Sequence, residues 1–300
     1  MRILVIGCNG QVGFELLRTL QSLGDVRGVR FPEVDLSDPD SVRDLLREHR
    51  PNVTVNAAAY TAVDKAESEP AKAMAVNGIA PGIMAEEMHR LDGVLVHYST
   101  DYVYDGTKTE PYSEDDPPNP LNVYGRSKLA GDVAVRELGA AHLVFRTSWV
   151  YGCRGSNFLL TMLRLFREKR ELRVVDDQFG APTWSRHIAE VTARVLRWCV
   201  RDEVSRERLR AEQSGVYHLT AGGSTSWFGF AKAIRDLRYA PIDGAAPELI
   251  PTPSSEYPVP ARRPSNSLLD NRKIKLTFGV EQPPWSSSLN DCYHALAADS

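Results

Sequence analysis

The sequence predicts an α/β protein with a doubly wound parallel sheet and a small mixed α/β cap. In the first half of the chain, short β-branched runs alternate with longer amphipathic segments, the pattern of βαβ units around a parallel sheet. The first apolar run, at 3–6, leads directly into a glycine-rich turn. After about residue 150 the alternation becomes irregular, which favours a smaller cap over a second sheet of the same kind.

Length and composition agree with this fold class. The 300 residues are enough for one such sheet and a cap, but too few for two large domains. The formal net charge of −3 provides no basic field that would attract nucleic acid or an anionic membrane. No apolar run approaches the roughly 18 residues that span a bilayer. The four cysteines lack metal-ligand spacing, so we expect free thiols in a reducing compartment, the cytoplasm: Cys8, Cys153, Cys199 and Cys292.

The apolar periods place the individual elements. Strands are predicted at 3–6, 26–29, 53–56, 94–99, 142–147, 172–175 and 215–219. Helices are predicted at 12–23, 41–48, 71–89, 127–138, 158–168 and 186–198. The stretch 240–263 is rich in proline and lacks periodicity, so it is predicted to be an extended loop that covers a site.

These elements divide the chain into two parts. Residues 1–152 are predicted to form an NAD(P)-binding Rossmann domain, which is completed by segments near 172–200, 215–221 and 264–271. The remaining segments, 153–171, 222–263 and 272–300, are predicted to form a substrate-binding cap.

The glycine-rich turn indicates a dinucleotide cofactor. Gly7, Gly10 and Gly13 have the spacing GxxGxxG between an apolar strand and an amphipathic helix. The first glycine permits the tight turn, the second lets a pyrophosphate approach the backbone, and the third lets the helix pack closely on the strand. A plain turn is the alternative, but the strand-turn-helix context favours the cofactor.

The end of the second strand distinguishes NADPH from NADH. A carboxylate there accepts hydrogen bonds from the adenosine ribose, whereas a basic residue accommodates a 2′-phosphate. This chain has Arg30 at that position, which favours NADPH but leaves NADH open. The alternative is that Arg30 is a solvated loop cation.

A second group of residues suits proton transfer. Thr100 ends the apolar strand at 94–99, and Tyr124 and Lys128 follow as a YxxxK element. The i,i+4 spacing places the phenol and the ammonium on one helix face, where we expect the lysine cation to lower the tyrosine pKa. Tyr124 would protonate a carbonyl oxygen that receives hydride, while Thr100 orients that oxygen. A buried structural tyrosine is the alternative.

Longer motifs carry a family resemblance. The sequence resembles the dTDP-4-dehydrorhamnose reductases, which are extended short-chain dehydrogenases/reductases, nearly from end to end. The motifs are NAAAYTAVDKAE at 56–67, YSTDYVYDG at 98–106, PLNVYGRSKLAG at 120–131, FRTSWVY at 145–151, DQFGAPT at 177–183 and PARRPSNS at 260–267. The resemblance implies reduction of dTDP-4-dehydro-6-deoxy-L-mannose to dTDP-L-rhamnose.

The resemblance also implies roles for particular residues. Cofactor contacts are implied for Gly10, Gln11, Val12, Asp35, Leu36, Ala59, Tyr60, Thr61, Tyr98, Tyr124 and Lys128. Contacts to the sugar nucleotide are implied for Thr100, Asp101 and Trp149. Some relatives are dimers bridged by magnesium through acidic residues that include one in the first helix, where this chain has Glu15. A solvated helix-face glutamate fits that position equally well, so the magnesium requirement and a homodimer stay open.

Other side chains suit a nucleotide-sugar ligand by their chemistry. Arg262 and Arg263 could pair with diphosphate oxygens, although ordinary surface arginines are the alternative. Trp149 could stack on a sugar or base, or fill the core. Three further tryptophans are expected in the core or an interface: Trp184, Trp227 and Trp285.

Two other functions compete with this prediction. A nucleotide-sugar epimerase or dehydratase would share the fold, but dehydratases place a second carboxylate where Tyr102 follows Asp101. A non-catalytic protein similar to the regulatory subunit of methionine adenosyltransferase would have no need for Thr100, Tyr124 and Lys128 together. Both alternatives are therefore less favoured than the reductase.

Overall fold

The computed structural model describes residues 1–138, 141–237 and 246–298. Its strands are β1 (Arg2–Ile6), β2 (Asp25–Val29), β3 (Val53–Asn56), β4 (Val94–Thr100), β5 (Ala141–Thr147), β6 (Val150–Tyr151), β7 (Glu171–Val175), β8 (Phe179–Gly180), β9 (Thr183–Trp184), β10 (Gly215–His218), β11 (Thr225–Ser226) and β12 (Glu248–Thr252). Its helices are α1 (Gln11–Thr19), α2 (Pro39–His49), α3 (Val63–Ala66), α4 (Pro70–Met74), α5 (Ala80–Arg90), α6 (Val123–Glu137), α7 (Phe158–Glu168), α8 (Ser185–Cys199), α9 (Glu203–Arg208), α10 (Trp227–Asp236), α11 (Arg272–Phe278) and α12 (Trp285–Ala298).

The main sheet confirms the predicted doubly wound α/β fold. Six parallel strands lie in the order β10-β5-β4-β3-β1-β2. The chain adds β2 on one side of β1 and then returns to add β3 on the other side. The strand order therefore reverses between β1 and β3, and ligands of such sheets bind outside the carboxyl ends of the strands at that point.

Alternating side chains of the sheet enter two different cores. In β1, Ile3 and Val5 join one hydrophobic cluster, whereas Leu4 and Ile6 join another. The first cluster includes α8, and the second includes α2 and α5. Because both faces are covered, the strands read as continuous apolar runs rather than as alternating ones.

A third core holds the cap together, and two predicted assignments change here. The cluster contains Tyr151, Phe166, Val174 and Phe230. The strand predicted at 172–175 was assigned to the Rossmann domain, but β7 pairs in parallel with β12 outside the main sheet. The stretch 240–263 was predicted to be loop throughout, but β12 lies within it. Residues 240–245 of that stretch lie outside the described residues.

The segment after residue 272 also differs from its predicted place in the cap. Ile274, Phe278 and Val280 pack in the same cluster as the main sheet. The apolar face of α11 is therefore satisfied by the Rossmann core, and only α12 contributes to the cap cluster.

Two helices differ in detail from the predictions. Helix α6 begins at Val123 rather than at residue 127, because the Asn122 side chain accepts a hydrogen bond from Gly125 N at 2.8 Å and caps the helix. The helix predicted at 71–89 contains a π-helical turn at Ala75–Ile79 between α4 and α5. Asn77 in this turn bonds both backbone polar groups of Tyr60, at 2.8 and 3.0 Å, and so fixes the loop after β3.

Within the described residues, no helix is long and apolar enough to cross a membrane.

The close packing of α1 on the sheet gives a first prediction. A Cβ added at Gly13 would lie 2.1 Å from Gly7 O, which is backbone and cannot move aside. We expect Gly13→Ala to lower the free energy of unfolding by about 1–3 kcal/mol. Urea denaturation measures this loss. Gly222→Ala is the matched control, since its Cβ would find the nearest atoms at 3.7 Å. Equal stability of the two variants would contradict the packing argument.

Candidate active site

The glycine turn brings the first helix to the point where the strand order reverses. Gly7 has φ +84°, and a Cβ there would lie 2.7 Å from Ala58 N of the loop after β3. Gly7 N donates to Val29 O at 2.8 Å, which ties the turn to the end of β2. The ends of β1, β2 and β3 therefore meet around this turn.

A cleft of about 840 Å³ opens above these strand ends, and we call it the switch-point cleft. It collects the residues for which cofactor contacts were predicted: Gly7, Gly10, Gln11, Val12, Arg30, Asp35, Leu36, Ala59, Tyr60, Thr61, Tyr98, Tyr124 and Lys128. Gly13 does not line it, because it packs against the Gly7 carbonyl beneath. The predicted cofactor residues therefore line one cleft, although they come from six separate parts of the chain.

The cleft has the properties that a dinucleotide requires. Its volume falls within the roughly 300–1,000 Å³ of small-molecule sites. The first turn of α1 faces it, and no side chain caps that helix or adds an acidic group to its first turn. Unpaired N–H groups and the positive end of the helix dipole suit a pyrophosphate.

Two cationic side chains line the part of the cleft near the end of β2 and Asp35. Arg30 is exposed at the end of β2, as predicted, and Lys72 of α4 lines the same cleft. Lys72 was missed, since nothing in its local sequence distinguishes it from an ordinary surface lysine. The carboxylate of Asp35 accepts a hydrogen bond from Ser37 N at 2.8 Å, and the Ser37 hydrogen bonds lower the Asp35 pKa.

A loop far along the chain closes the other side of the cleft and was also missed. Gly155 and Ser156 line it. Asn157 holds this loop in place by donating to Gln11 Oε1 at 2.9 Å and to Gly152 O at 3.0 Å. The sequence separation of 146 residues between Asn157 and Gln11 hides this contact from motif reasoning.

Two of the predicted proton-transfer residues, Tyr124 and Lys128, line the cleft, whereas Thr100 does not. Tyr124 is the second residue of α6, and Thr100 at the end of β4 lies close enough to influence its pKa. Thr100 Oγ1 donates to Asp101 Oδ1 at 2.9 Å and accepts from Tyr102 N at 3.2 Å. Lys128 follows one turn later on α6 and is 1% exposed.

The Tyr124 pKa is raised, whereas the sequence analysis expected Lys128 to lower it. The surrounding protein desolvates the Tyr124 hydroxyl and raises its pKa well above 10; Thr100 opposes this rise, and the negative charges of Asp101 and Asp132 add to it. Lys128 Nζ donates to Tyr98 O at 2.6 Å. The phenol is therefore protonated at neutral pH, as a proton donor must be, although the raised pKa makes it a weaker acid.

Burial acts on Lys128 in the opposite sense. Desolvation lowers the Lys128 pKa to about 8, although the nearby Asp132 carboxylate raises it. Lys128 Nζ also lies 3.1 Å from His97 Nε2, and burial holds the His97 pKa well below 6.5. The sequence analysis did not predict the contact between Lys128 and His97.

A second cavity of about 990 Å³ lies between the main sheet and the cap, and we call it the cap cavity. Arg262 and Arg263 both line it, as a phosphate-binding role would require. Arg263 Nη2 pairs with Asp64 Oδ2 at 2.8 Å. Burial raises the Tyr102 pKa, and the nearby positive charge of Arg263 opposes this rise. Tyr102 in turn packs edge-on against the Tyr124 ring, with centroids 5.9 Å apart. Tyr102 therefore connects the cap cavity to the proton-transfer residues.

Trp149 lies beside the cap cavity but is covered by another tryptophan. Its ring stacks on Trp227 with a centroid distance of 3.5 Å and an interplanar angle of 5°. Trp227 lines the cap cavity, although the sequence analysis placed it in the core or an interface. Trp149 has φ +48°, an uncommon conformation for a large side chain, so the surrounding structure must hold it there.

Glu15 is not the solvated helix-face residue that the sequence left open. It is 5% exposed, and its carboxylate pairs with Arg18 at 3.0 Å and Arg186 at 3.2 Å. Within residues 1–138, 141–237 and 246–298, no group of three or more His, Cys, Asp or Glu side chains is placed to hold a metal. All four cysteines are free thiols, as predicted.

The chain is similar to proteins of one family over nearly its whole length. The family model described as RmlD substrate binding domain matches residues 1–298. A dTDP-4-dehydrorhamnose reductase of Burkholderia thailandensis is 51% identical over 300 residues, 99% of both chains. The crystal structure of a dTDP-4-dehydrorhamnose reductase from Clostridium acetobutylicum has a TM-score of 0.88 at 34% identity and covers 99% of this chain and 100% of its own. That of a Bacillus anthracis dTDP-4-dehydrorhamnose reductase in complex with NADP has a TM-score of 0.87 at 32% identity and covers 98% and 99%.

The buried carboxyl of Asp101 gives a second prediction. Burial raises its pKa to about 6, although Thr100 Oγ1 donates to Oδ1 at 2.9 Å; Oδ2 is buried without a hydrogen-bond partner. The neutral Asp101 carboxyl therefore makes its full contribution to the free energy of unfolding below about pH 4, and this contribution is lost as the pH rises through about 6. We expect Asp101→Asn to gain on the order of 2–3 kcal/mol in unfolding free energy relative to wild type between pH 4 and 7.

Urea denaturation at several pH values measures this difference, and Asp105→Asn provides the matched control. Hydrogen bonds from Thr107 and Asn119 hold the Asp105 pKa far below its usual range, so that variant should lose stability relative to wild type as pH rises. If the stability of both variants relative to the wild type changed in the same direction with rising pH, the argument would be contradicted.

Proposed function

The chain belongs to the family of the RmlD substrate binding domain, and we propose that it is a dTDP-4-dehydrorhamnose reductase that converts dTDP-4-dehydro-6-deoxy-L-mannose to dTDP-L-rhamnose with NADPH. The names of its relatives support the substrate. The observation that carries the reaction type is that Tyr124 and Lys128 of α6 both line the switch-point cleft, beside the end of β4 that carries Thr100. The four free thiols fit the reducing cytoplasm, where we place the reaction.

In the proposed mechanism, this chain supplies the proton and the orientation. Bound NADPH would supply hydride to the keto carbon of the sugar. Tyr124 donates its phenolic proton to the carbonyl oxygen, because the phenol is protonated at neutral pH. Thr100 Oγ1 holds the same oxygen and stabilises the negative charge that develops on it. Lys128 orients the cofactor ribose from its position on the Tyr98 carbonyl.

The cap cavity is the proposed nucleotide-sugar site. Arg262 is exposed and Arg263 is held by Asp64, so the two guanidinium groups could pair with a diphosphate. Trp149 and Trp227 form an aromatic wall suited to a sugar or base. The charge of Arg263 acts on Tyr102, and Tyr102 packs against Tyr124, which supports a diphosphate site close to the proposed proton donor.

NADPH is proposed in preference to NADH on electrostatic grounds. Arg30 and Lys72 both line the adenosine end of the cleft, where a 2′-phosphate would gain two cationic partners. The relative from Bacillus anthracis was solved in complex with NADP.

Replacing the proposed proton donor tests the reaction. We expect Tyr124→Phe to lower the sugar-dependent oxidation of NADPH by about 10²–10⁴-fold, because the ring stays while the proton is lost. Absorbance of the reduced nicotinamide follows the reaction, and fluorescence titration should give an NADPH affinity close to that of the wild type.

Tyr217→Phe is the matched control for this test. Tyr217 is buried in β10, its hydroxyl donates to Gln213 O at 2.7 Å, and it lies outside both cavities. It should keep the wild-type rate. A wild-type protein that binds NADPH but consumes none with this sugar would refute the reductase and favour a non-catalytic role.

Replacing Arg30 tests the cofactor preference. We expect Arg30→Ala to weaken NADPH binding roughly 10- to 100-fold, the loss of one charge-assisted pair, while NADH binding changes little. Titration of both cofactors measures the ratio. Arg43→Ala, on the exposed face of α2 where Arg43 pairs with Asp40, should leave both affinities unchanged. An equal loss for both cofactors would remove the 2′-phosphate role.

A further inference from the structure

Two buried polar side chains stand behind Lys128 and take no part in the mechanism above. Asn56 of β3 and His97 of β4 occupy paired positions of neighbouring strands. Asn56 Nδ2 lies 3.1 Å from His97 Nδ1, and His97 Nε2 lies 3.1 Å from Lys128 Nζ. The three residues are 1%, 0% and 1% exposed, respectively, so they form a chain of polar contacts shielded from water.

A backbone N–H group fixes which atoms donate and which accept along these three polar contacts. Ala58 N donates to Asn56 Oδ1 at 3.2 Å, and a backbone N–H can only donate. The amide oxygen of Asn56 therefore faces Ala58, and its NH₂ group faces His97 Nδ1. Because that NH₂ is a donor, His97 Nδ1 must be the acceptor.

The His97 tautomer follows from this direction. A neutral imidazole carries one hydrogen, which is then on Nε2 and points at Lys128 Nζ. An ammonium has no lone pair to accept it, whereas a neutral amine has one. Tyr98 O accepts from Lys128 Nζ at 2.6 Å in either state. The observed directions therefore match a neutral Lys128.

A charged Lys128 requires the opposite arrangement. Its ammonium would donate to His97 Nε2, the imidazole hydrogen would move to Nδ1, and the Asn56 amide would have to rotate and give up the Ala58 bond. His97 of β4 lies 3.1 Å from the ammonium, and the Asp132 carboxylate of α6 acts on it. Tyr124 precedes Lys128 by one turn of α6, and Asp101 follows β4 and acts on Tyr124. Asp132 favours the ammonium, but it is itself paired with Arg146 at 3.0 Å.

We propose that Asn56 and His97 are positioning residues that couple the protonation of Lys128 to the His97 tautomer, with the Ala58–Asn56 hydrogen bond favouring the neutral amine. This rests on the proposed function only for its effect on the rate. The Lys128 ammonium assists proton donation by Tyr124, so the rate falls on the alkaline side as Lys128 loses its proton. The Asn56–His97 pair places that fall at a lower pH than an isolated lysine would.

Asn56→Asp reverses the donor and acceptor roles along the polar contacts, with almost no change in the shape of the side chain. One carboxylate oxygen accepts from Ala58 N, and the other accepts a hydrogen from His97 Nδ1. His97 Nε2 then becomes an acceptor for the Lys128 ammonium, which holds the proton in preference to the less basic imidazole. We expect the alkaline limb of kcat/KM to move to higher pH by about one unit.

Thr54→Val is the matched control for the pH profile. Thr54 is buried two residues earlier on the same face of β3, and its hydroxyl contacts Met88 Sδ rather than the site. It should leave the alkaline limb where the wild type has it. An unshifted limb in Asn56→Asp, or an equal shift in Thr54→Val, would overturn the proposal.

Nitrogen NMR of ¹⁵N-histidine-labelled protein tests the tautomer without any reductase activity, with the His97 signals assigned by His97→Gln. At about pH 9, where Lys128 is mostly neutral, the wild type should carry its imidazole hydrogen on Nε2, whereas Asn56→Asp should carry it on Nδ1. A wild-type hydrogen on Nδ1 at that pH would overturn the proposal even if Asn56→Asp fails to fold. A correct tautomer in a protein that reduces no sugar would support the coupling and refute the proposed function instead.

Discussion

The close approach of backbone to backbone at Gly7 is the constraint on which the rest of the structure depends. The turn after β1 touches the loop after β3 so tightly that a single Cβ at Gly7 would collide with Ala58. That contact brings the first turn of α1 and the 57–61 loop to one side of the reversal in strand order. The π-helical turn supports the same loop, because Asn77 satisfies the backbone of Tyr60 and also reaches Ser127 on α6. The loop that lines the switch-point cleft and helix α6 are thus joined through the buried Asn77 amide.

Burial is the second constraint, and it acts on each ionisable group according to its charge. Exclusion of water raises the Tyr124 pKa and lowers the pKa values of Lys128 and His97, because desolvation disfavours whichever form carries charge. Only hydrogen bonds with fixed direction can then decide where protons lie. The Tyr98 carbonyl and the Ala58 N–H are such groups, because backbone cannot reverse its donor and acceptor roles.

The sequence predicted the features that depend on neighbouring residues. It missed the features that arise where distant parts of the chain pack together. The sheet, the glycine turn and the Tyr124–Lys128 spacing follow from period, turn chemistry and helix geometry, all of which operate within a few residues. Lys72 and the Gly155 loop reach the cleft only through tertiary packing. The place of β7 was mispredicted for the same reason, since an apolar run of five residues fits a main sheet or a cap equally well. The pKa of Tyr124 was mispredicted because spacing on a helix says nothing about desolvation.

Helix α6 shows how one buried charge can influence both proton-handling groups. Tyr124, Lys128 and Asp132 repeat every four residues and so share one face of the helix. The Asp132 carboxylate raises the pKa of Lys128 and of Tyr124 together, which favours the protonated form of each. An unpaired carboxylate at 1% exposure would be costly, and Arg146 of β5 offsets part of that cost through the 3.0 Å ion pair to Oδ2. Arg146 itself donates to the Tyr104 hydroxyl at 2.8 Å. The charge that favours the protonated forms of Tyr124 and Lys128 is therefore anchored to the sheet through Arg146.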